Sequence, residues 1–167
     1  MKTTAWAAPL AAVLLAACTT TAWPLLERFV PKEKQIDVNV GPEWGWFGGK
    51  HVIKVPDEVR VRGGTGKIVW VLGADAANAG YRFGPEGIRF DYPAPSVPAS
   101  CRSTLQPRDA FPNCQPRDDG RGFECSRGGK HTPGACFKYT ISLQAVADSD
   151  GARPPEVPPK DPWIISE

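Results

Sequence analysis

Phe137-Lys138-Tyr139-Thr140-Ile141-Ser142-Leu143-Gln144 alternates apolar and polar side chains without a break. A period of two places Phe137, Tyr139, Ile141 and Leu143 on one face of an extended strand and the polar residues on the other. The stretch therefore predicts an amphipathic β-strand with one face buried and one wet. The rest of the chain repeats the pattern in shorter pieces. Ile36, Val38 and Val40 alternate in Gln35 to Val40. His51 to Val55 is short and β-branched, and Val59 and Val61 alternate beyond Pro56-Asp57-Glu58. Lys67-Ile68-Val69-Trp70-Val71-Leu72 is apolar on both faces, as expected of a central strand. Ile88, Phe90 and Tyr92 alternate after a Gly84-Pro85-Glu86-Gly87 turn. Phe123-Glu124-Cys125 and Trp163-Ile164-Ile165 complete the set. Helix signals are nearly absent; Gly73 to Gly80 reads as a loop or a single helical turn.

About seven short strands separated by turns predict an all-β fold, a single antiparallel β-sandwich. Residues Pro93 to Gly134 lose periodicity and are dense in Pro, Gly, Arg and Asp. So long a loop is unusual in a compact domain. Its cysteines answer the objection, because cross-links order what a core cannot.

There are five cysteines, and Cys101, Cys114, Cys125 and Cys136 form an even set in or beside that loop. In an exported chain they read as two disulfides. The local pairing Cys101–Cys114 with Cys125–Cys136 is favoured, because each bond closes a short loop. The nested pairing Cys101–Cys136 with Cys114–Cys125 stays open. A zinc site of four thiolates is disfavoured, because no two of these cysteines stand two to four residues apart.

The fifth cysteine carries the address. Ala5 to Ala17 is mostly apolar and small behind Met1-Lys2. That run is too short to span a bilayer, which takes about 20 residues, and it fits the apolar segment of a secretory signal. It closes on Leu15-Ala16-Ala17-Cys18, which resembles the lipobox of bacterial lipoproteins. The resemblance implies a signal peptide over residues 1–17, lipid (a palmitate-type acyl group) on Cys18, a tether over 18–34 and the sandwich over 35–167. It also implies a place in the bacterial cell envelope, membrane-attached through the lipid anchor. Thr19 after the cysteine favours the outer membrane. Without residues 1–17 the chain carries 19 Lys plus Arg against 18 Asp plus Glu. This balance predicts no nucleic-acid partner.

Glu43-Trp44-Gly45-Trp46-Phe47-Gly48-Gly49 is the most aromatic stretch. Trp44, Trp46 and Phe47 either form an exposed platform for carbohydrate or an envelope protein, or cap one end of the core. The large area an indole buries favours the cap.

Other motifs dissolve on inspection. Gly63-Gly64-Thr65-Gly66-Lys67 suggests a phosphate loop. The pattern needs Gly where Val61 stands and Ser or Thr where Ile68 stands. A hairpin turn joining Val59–Arg62 to Lys67–Leu72 is expected instead. Asp148-Ser149-Asp150-Gly151 lacks the remaining ligands of a calcium loop and reads as a turn. Pro154 to Pro162 reads as extended.

The succession Ile68-x-Trp70, Gly87-Ile88-x-Phe90, Phe123-x-Cys125, Phe137-x-Tyr139-Thr140-Ile141 and Asp161-Pro162-x-Ile164-Ile165 resembles small cupredoxin-like or immunoglobulin-like domains. Cupredoxins bind copper through two His, one Cys and usually a Met. Here the only Met is Met1, and the only histidines are His51 and His131. The resemblance therefore implies a sandwich without the copper site, and no cofactor or metal is expected. Nor does any nucleophile elbow or catalytic set stand out; Asp57, Glu58, Asp118 and Asp119 lie in turn-like runs. The reading is a non-catalytic binding or envelope-structural module. A metal-handling or electron-transfer domain derived from a cupredoxin, and a carbohydrate-binding module using Trp44 and Trp46, are the alternatives.

Overall fold

A computed structural model describes residues 32–46, 48–90, 99, 101, 103–104, 110–128 and 133–167. Among the described residues ten strands, one short α-helix and one 3-10 turn follow in order: β1 (Lys32–Gly45), β2 (Gly48–Lys54), β3 (Glu58–Val61), β4 (Thr65–Leu72), α1 (Ala74–Asn78), β5 (Tyr81–Phe90), β6 (Ser103–Thr104), β7 (Gln115–Arg117), the 3-10 turn Asp118–Gly120, β8 (Gly122–Ser126), β9 (Ala135–Ala145) and β10 (Trp163–Ser166). One sheet has the order β2-β1-β4-β8-β7. The other has the order β3-β10-β9-β5, with β6 also on β9. The fold is an all-β sandwich, but not a purely antiparallel one: β1 runs parallel to β4, β3 to β10 and β6 to β9.

The core forms where the alternating faces meet. Ile68, Trp70 and Leu72 of β4 and Ile36 and Val38 of β1 face Tyr139 and Ile141 of β9, Ile164 of β10, and Val59 and Val61 of β3. Trp70 is fully buried at the centre. Its ring centroid lies 5.5 Å from Tyr139 and 6.4 Å from both Phe90 and Phe123. Phe111 stacks on Phe90 at 4.3 Å and meets Phe137 edge-on at 4.8 Å. Val69 is also fully buried, so β4 is covered on both faces as its composition predicts. Desolvation pushes the buried Tyr139 hydroxyl up to about 12, the neighbouring Trp70 indole pulling weakly the other way.

Several expectations need correction. The Gly63–Lys67 turn does not close a hairpin. Thr65 N–H does donate to Arg62 C=O at 3.3 Å, and Gly64 supplies the positive φ of 80°. Yet β3 and β4 belong to different sheets, so the turn carries the chain across the sandwich. Turn chemistry is local and cannot tell a hairpin from an arch. Gly84–Gly87 is likewise not a turn between elements. It is a bulge inside β5: Phe83 pairs with Leu143 and Ile88 with Ile141, leaving the four residues opposite Ser142. Tyr81 to Phe83 thus belong to the same strand.

The favoured local disulfide pairing is also wrong; the bonds are Cys101–Cys136 and Cys114–Cys125. Strand register decides this. Gln115 pairs with Glu124, so Cys114 falls opposite Cys125, and Thr104 pairs with Cys136 just beyond Cys101. Cys125 and Cys136 lie in different sheets, on β8 and β9.

The polar face of β9 is less wet than expected. Thr140 is buried and donates to Asp161 Oδ1 at 2.8 Å, and Lys138 lies 4.0 Å from the same carboxylate. The extended Pro154–Pro162 segment is tied down here by a bridge between Lys160 and Ile141, and farther back by the Tyr81 hydroxyl donating to Pro155 C=O at 2.7 Å. Asp148 does form a turn, its Oδ1 accepting from the amides of Asp150 and Ala152.

Candidate functional site

β1 serves two partners in succession. Lys32 to Val38 pair with β4, and Asn39 to Gly45 pair with β2. The strand thus starts before Gln35, inside the stretch expected to be tether, and runs through the stretch expected to cap the core. The change of partner falls where β4 ends. Gly73 N–H donates to Val38 C=O at 2.9 Å, and the chain then turns into α1. Past that point, among the described residues, β1 and β2 pair only with each other. Val40 and Ile53 still pack on the core. Beyond them every described residue from Pro42 to Trp46 and from Gly48 to His51 is exposed. The result is a two-stranded arm leaving the sandwich.

The sequence explains how such an arm holds its form. Gly45 pairs with Gly48 at the end of the ribbon, where Gly48 takes φ 118°. Glu43 and Lys50 face each other and pair at 3.4 Å, an exposed contact that contributes about 1 kcal/mol or less. Trp44 stands opposite Gly49. A side-chain carbon on Gly49 would lie 3.1 Å from the Trp44 ring, so the indole covers the bare backbone. Val38 C=O points towards β4, so by alternation the nitrogen of Pro42 faces away from β2. The proline then breaks no ladder bond and blunts the open edge.

Alternation also puts Trp44 on the same face as Ile36, Val38 and Val40. This is the core face of the sheet continued past the end of the core. Trp44 is 81% exposed and Trp46 99% exposed. The core-cap expectation is therefore wrong for both indoles, because β1 outruns β4. Phe47, His131 and the Leu15–Cys18 motif lie outside the described residues. His51 sits on the arm opposite Pro42 and is exposed.

The other candidates separate. All four downstream cysteines are in disulfides and are not thiolate ligands. Asp57 pairs with Lys160 at 2.6 Å beside β3, and Asp118 pairs with Arg117 at 2.9 Å beyond β7. β3 and β7 are edge strands of different sheets, so Asp57 and Asp118 are not brought together. Among the described residues, no group of three or more His, Cys, Asp or Glu is arranged to hold a metal. A groove of about 410 Å³ runs between Lys34–Asp37 of β1 and Pro56–Arg60; charges of both signs on its rims, Lys34, Asp37, Glu58 and Arg60, blunt the strand edges there.

One cluster escaped sequence reading. Glu124 on β8 accepts from Lys67 at 3.1 Å, Arg117 at 3.5 Å and Gln115 at 3.5 Å. Chiefly the Lys67 ammonium holds its carboxyl below the usual glutamate range, against the opposing effect of burial. The cluster ties β4, β8 and β7 together. Only strand register could have found it, since Lys67 and Glu124 lie far apart in sequence. No protein-family model matches the chain, and no curated protein matches it in sequence.

Proposed function

We propose that this protein is an exported, non-catalytic binding module, lipid-anchored at Cys18 in the bacterial envelope, whose contact surface is the β1–β2 arm. The observation that carries the binding surface is the exposure of Trp44 and Trp46 at the end of that arm. Large exposed aromatics at one place mark contact sites rather than ordinary surface. The anchor is supported by the Leu15-Ala16-Ala17-Cys18 motif and by the cysteine count: the other four cysteines are consumed in cross-links, and two disulfides suit an oxidising compartment. The non-catalytic reading is supported by the separation of the candidate carboxylates: Asp57 lies beside β3 and Asp118 beyond β7, edge strands of different sheets.

The anchor is tested by expressing the whole chain in a bacterial host fed a clickable palmitate analogue. Label on the peptide that starts at Cys18, lost in Cys18→Ala, is the expected result. An unlabelled protein that fractionates away from membranes would overturn it.

A further inference from the structure

We infer that the partner of the arm is the headgroup interface of a lipid bilayer, so that the arm makes a second membrane contact beside the Cys18 anchor. The inference rests on the envelope reading above and names what the contact surface meets.

The shape of the tip comes first. Sites for sugars and other small molecules are concave and enclose most of the ligand. Trp46 follows the end of β1 and is 99% exposed, so among the described residues nothing encloses a ligand there. A convex aromatic tip is buried only by a medium that closes around it.

Chemistry points the same way. Sugar recognition needs polar side chains beside the ring to read hydroxyl groups. Around Trp44 and Trp46 stand Gly45, Gly48 and Gly49, which have none. The nearest charged pair, Glu43 and Lys50, is on the opposite face of the ribbon from Trp44 and is already satisfied. Tryptophan favours the membrane–water boundary because its ring is apolar and its N–H polar. Behind the tip, with Lys50 paired to Glu43, the shaft carries one further positive charge, Lys54, of the sign that suits anionic headgroups.

Reach also allows it. β1 runs unbroken from the entry of the domain to the arm tip, about 43 Å at ~3.3 Å per residue. The segment from Cys18 to Lys32, fully extended, spans at most roughly 46–50 Å. The two lengths match, so a domain held at Cys18 can bring the arm tip to the same surface.

The test uses the full acylated chain reconstituted into vesicles of phosphatidylethanolamine and phosphatidylglycerol, some carrying brominated acyl chains. Tryptophan fluorescence of the parent is compared with that of Trp44→Ala, Trp46→Ala and the double variant. The expected result is a quenched, blue-shifted component that the double variant loses, with unchanged far-UV circular dichroism. For unacylated protein added to the same vesicles, each substitution is expected to weaken binding roughly tenfold or more. Quenching that is the same in parent and double variant overturns the inference. So does Trp44-dependent retention on envelope polysaccharide without quenching. Acylation is read separately from the mass of the Cys18 peptide. An unacylated protein whose Trp44- and Trp46-dependent vesicle binding persists removes the anchor and leaves the arm contact standing.

Discussion

The two halves of β1 obey the same alternation and meet opposite fates. In Lys32–Val38 the even positions Ile36 and Val38 are buried under the facing sheet. In Asn39–Gly45 the same face carries Pro42 and Trp44 into solvent. Nothing in the local pattern distinguishes the halves; what differs is the neighbour. β4 backs the first half and stops at Leu72, so the second half pairs only with β2. Two tryptophans make the contrast plain: Trp70 on β4 is fully buried, and Trp46 in the turn after β1 is 99% exposed. Burial in this protein belongs to the sheet, not to the residue. An indole outside the sheet is free for another task.

The contrast is sharpest if the two kinds of tryptophan are deleted in turn. Trp70→Ala should destabilise by about 3–5 kcal/mol, because it opens a cavity among Phe90, Phe123 and Tyr139. Denaturant unfolding measures this directly, and a loss below about 1 kcal/mol would mean that Trp70 is not the centre of the core. The disulfides come next. The bond Cys101–Cys136 closes a separation of 35 residues and Cys114–Cys125 one of 11. In the chain-entropy model they contribute about 4 and about 3 kcal/mol. Paired removal as Cys101→Ala with Cys136→Ala should therefore cost more than Cys114→Ala with Cys125→Ala. Peptide mapping without reductant should recover Cys114 joined to Cys125; a Cys101–Cys114 peptide would contradict the register of β7 on β8.

Smaller effects follow from titration. The Glu124 carboxyl titrates lower in the folded state than in the unfolded one. Its contribution is therefore fully present above the ordinary glutamate range and lost as pH falls through the folded value. Glu124→Gln should cost roughly 1–2 kcal/mol at neutral pH and flatten the acid limb of the stability profile; an unchanged limb would show that Lys67 and Arg117 do not grip it. Tyr139 has the opposite sign. Its folded pKa is raised to about 12, so its contribution is present below the ordinary tyrosine value near 10 and lost as pH rises through 12. In a spectrophotometric titration Tyr139 should ionise last, together with unfolding. The smallest effect is on the arm. Trp44→Ala and Trp46→Ala should each change stability by no more than about 0.5 kcal/mol, and a loss like that of Trp70→Ala would return the indoles to the core.

These contrasts also mark what was legible in the chain. Period-two alternation located β1 and β9, and short apolar runs located β4 and β10; Ile36, Trp70, Tyr139 and Ile164 of these strands lie in the core, because local sterics and burial act on the same residues. The all-β sandwich and the involvement of four cysteines in bonds followed. Pairing did not. Whether Gly64 turns a hairpin or an arch, whether Gly84–Gly87 ends a strand or bulges it, and which cysteine faces which depend on neighbours distant in sequence. The same is true of the arm. Trp44 and Trp46 could be singled out as an aromatic cluster, but their exposure depends on β4 pairing with β1 no farther than Val38, six residues before Trp44.

The most direct test of the account is oxidative footprinting of the folded protein in buffer without lipid, with the rate read at each tryptophan. Trp46 and Trp44 should label rapidly, with Trp70 protected until the protein unfolds. Protection of Trp44 and Trp46 comparable to that of Trp70 would contradict an exposed arm, and with it the contact surface proposed for this protein.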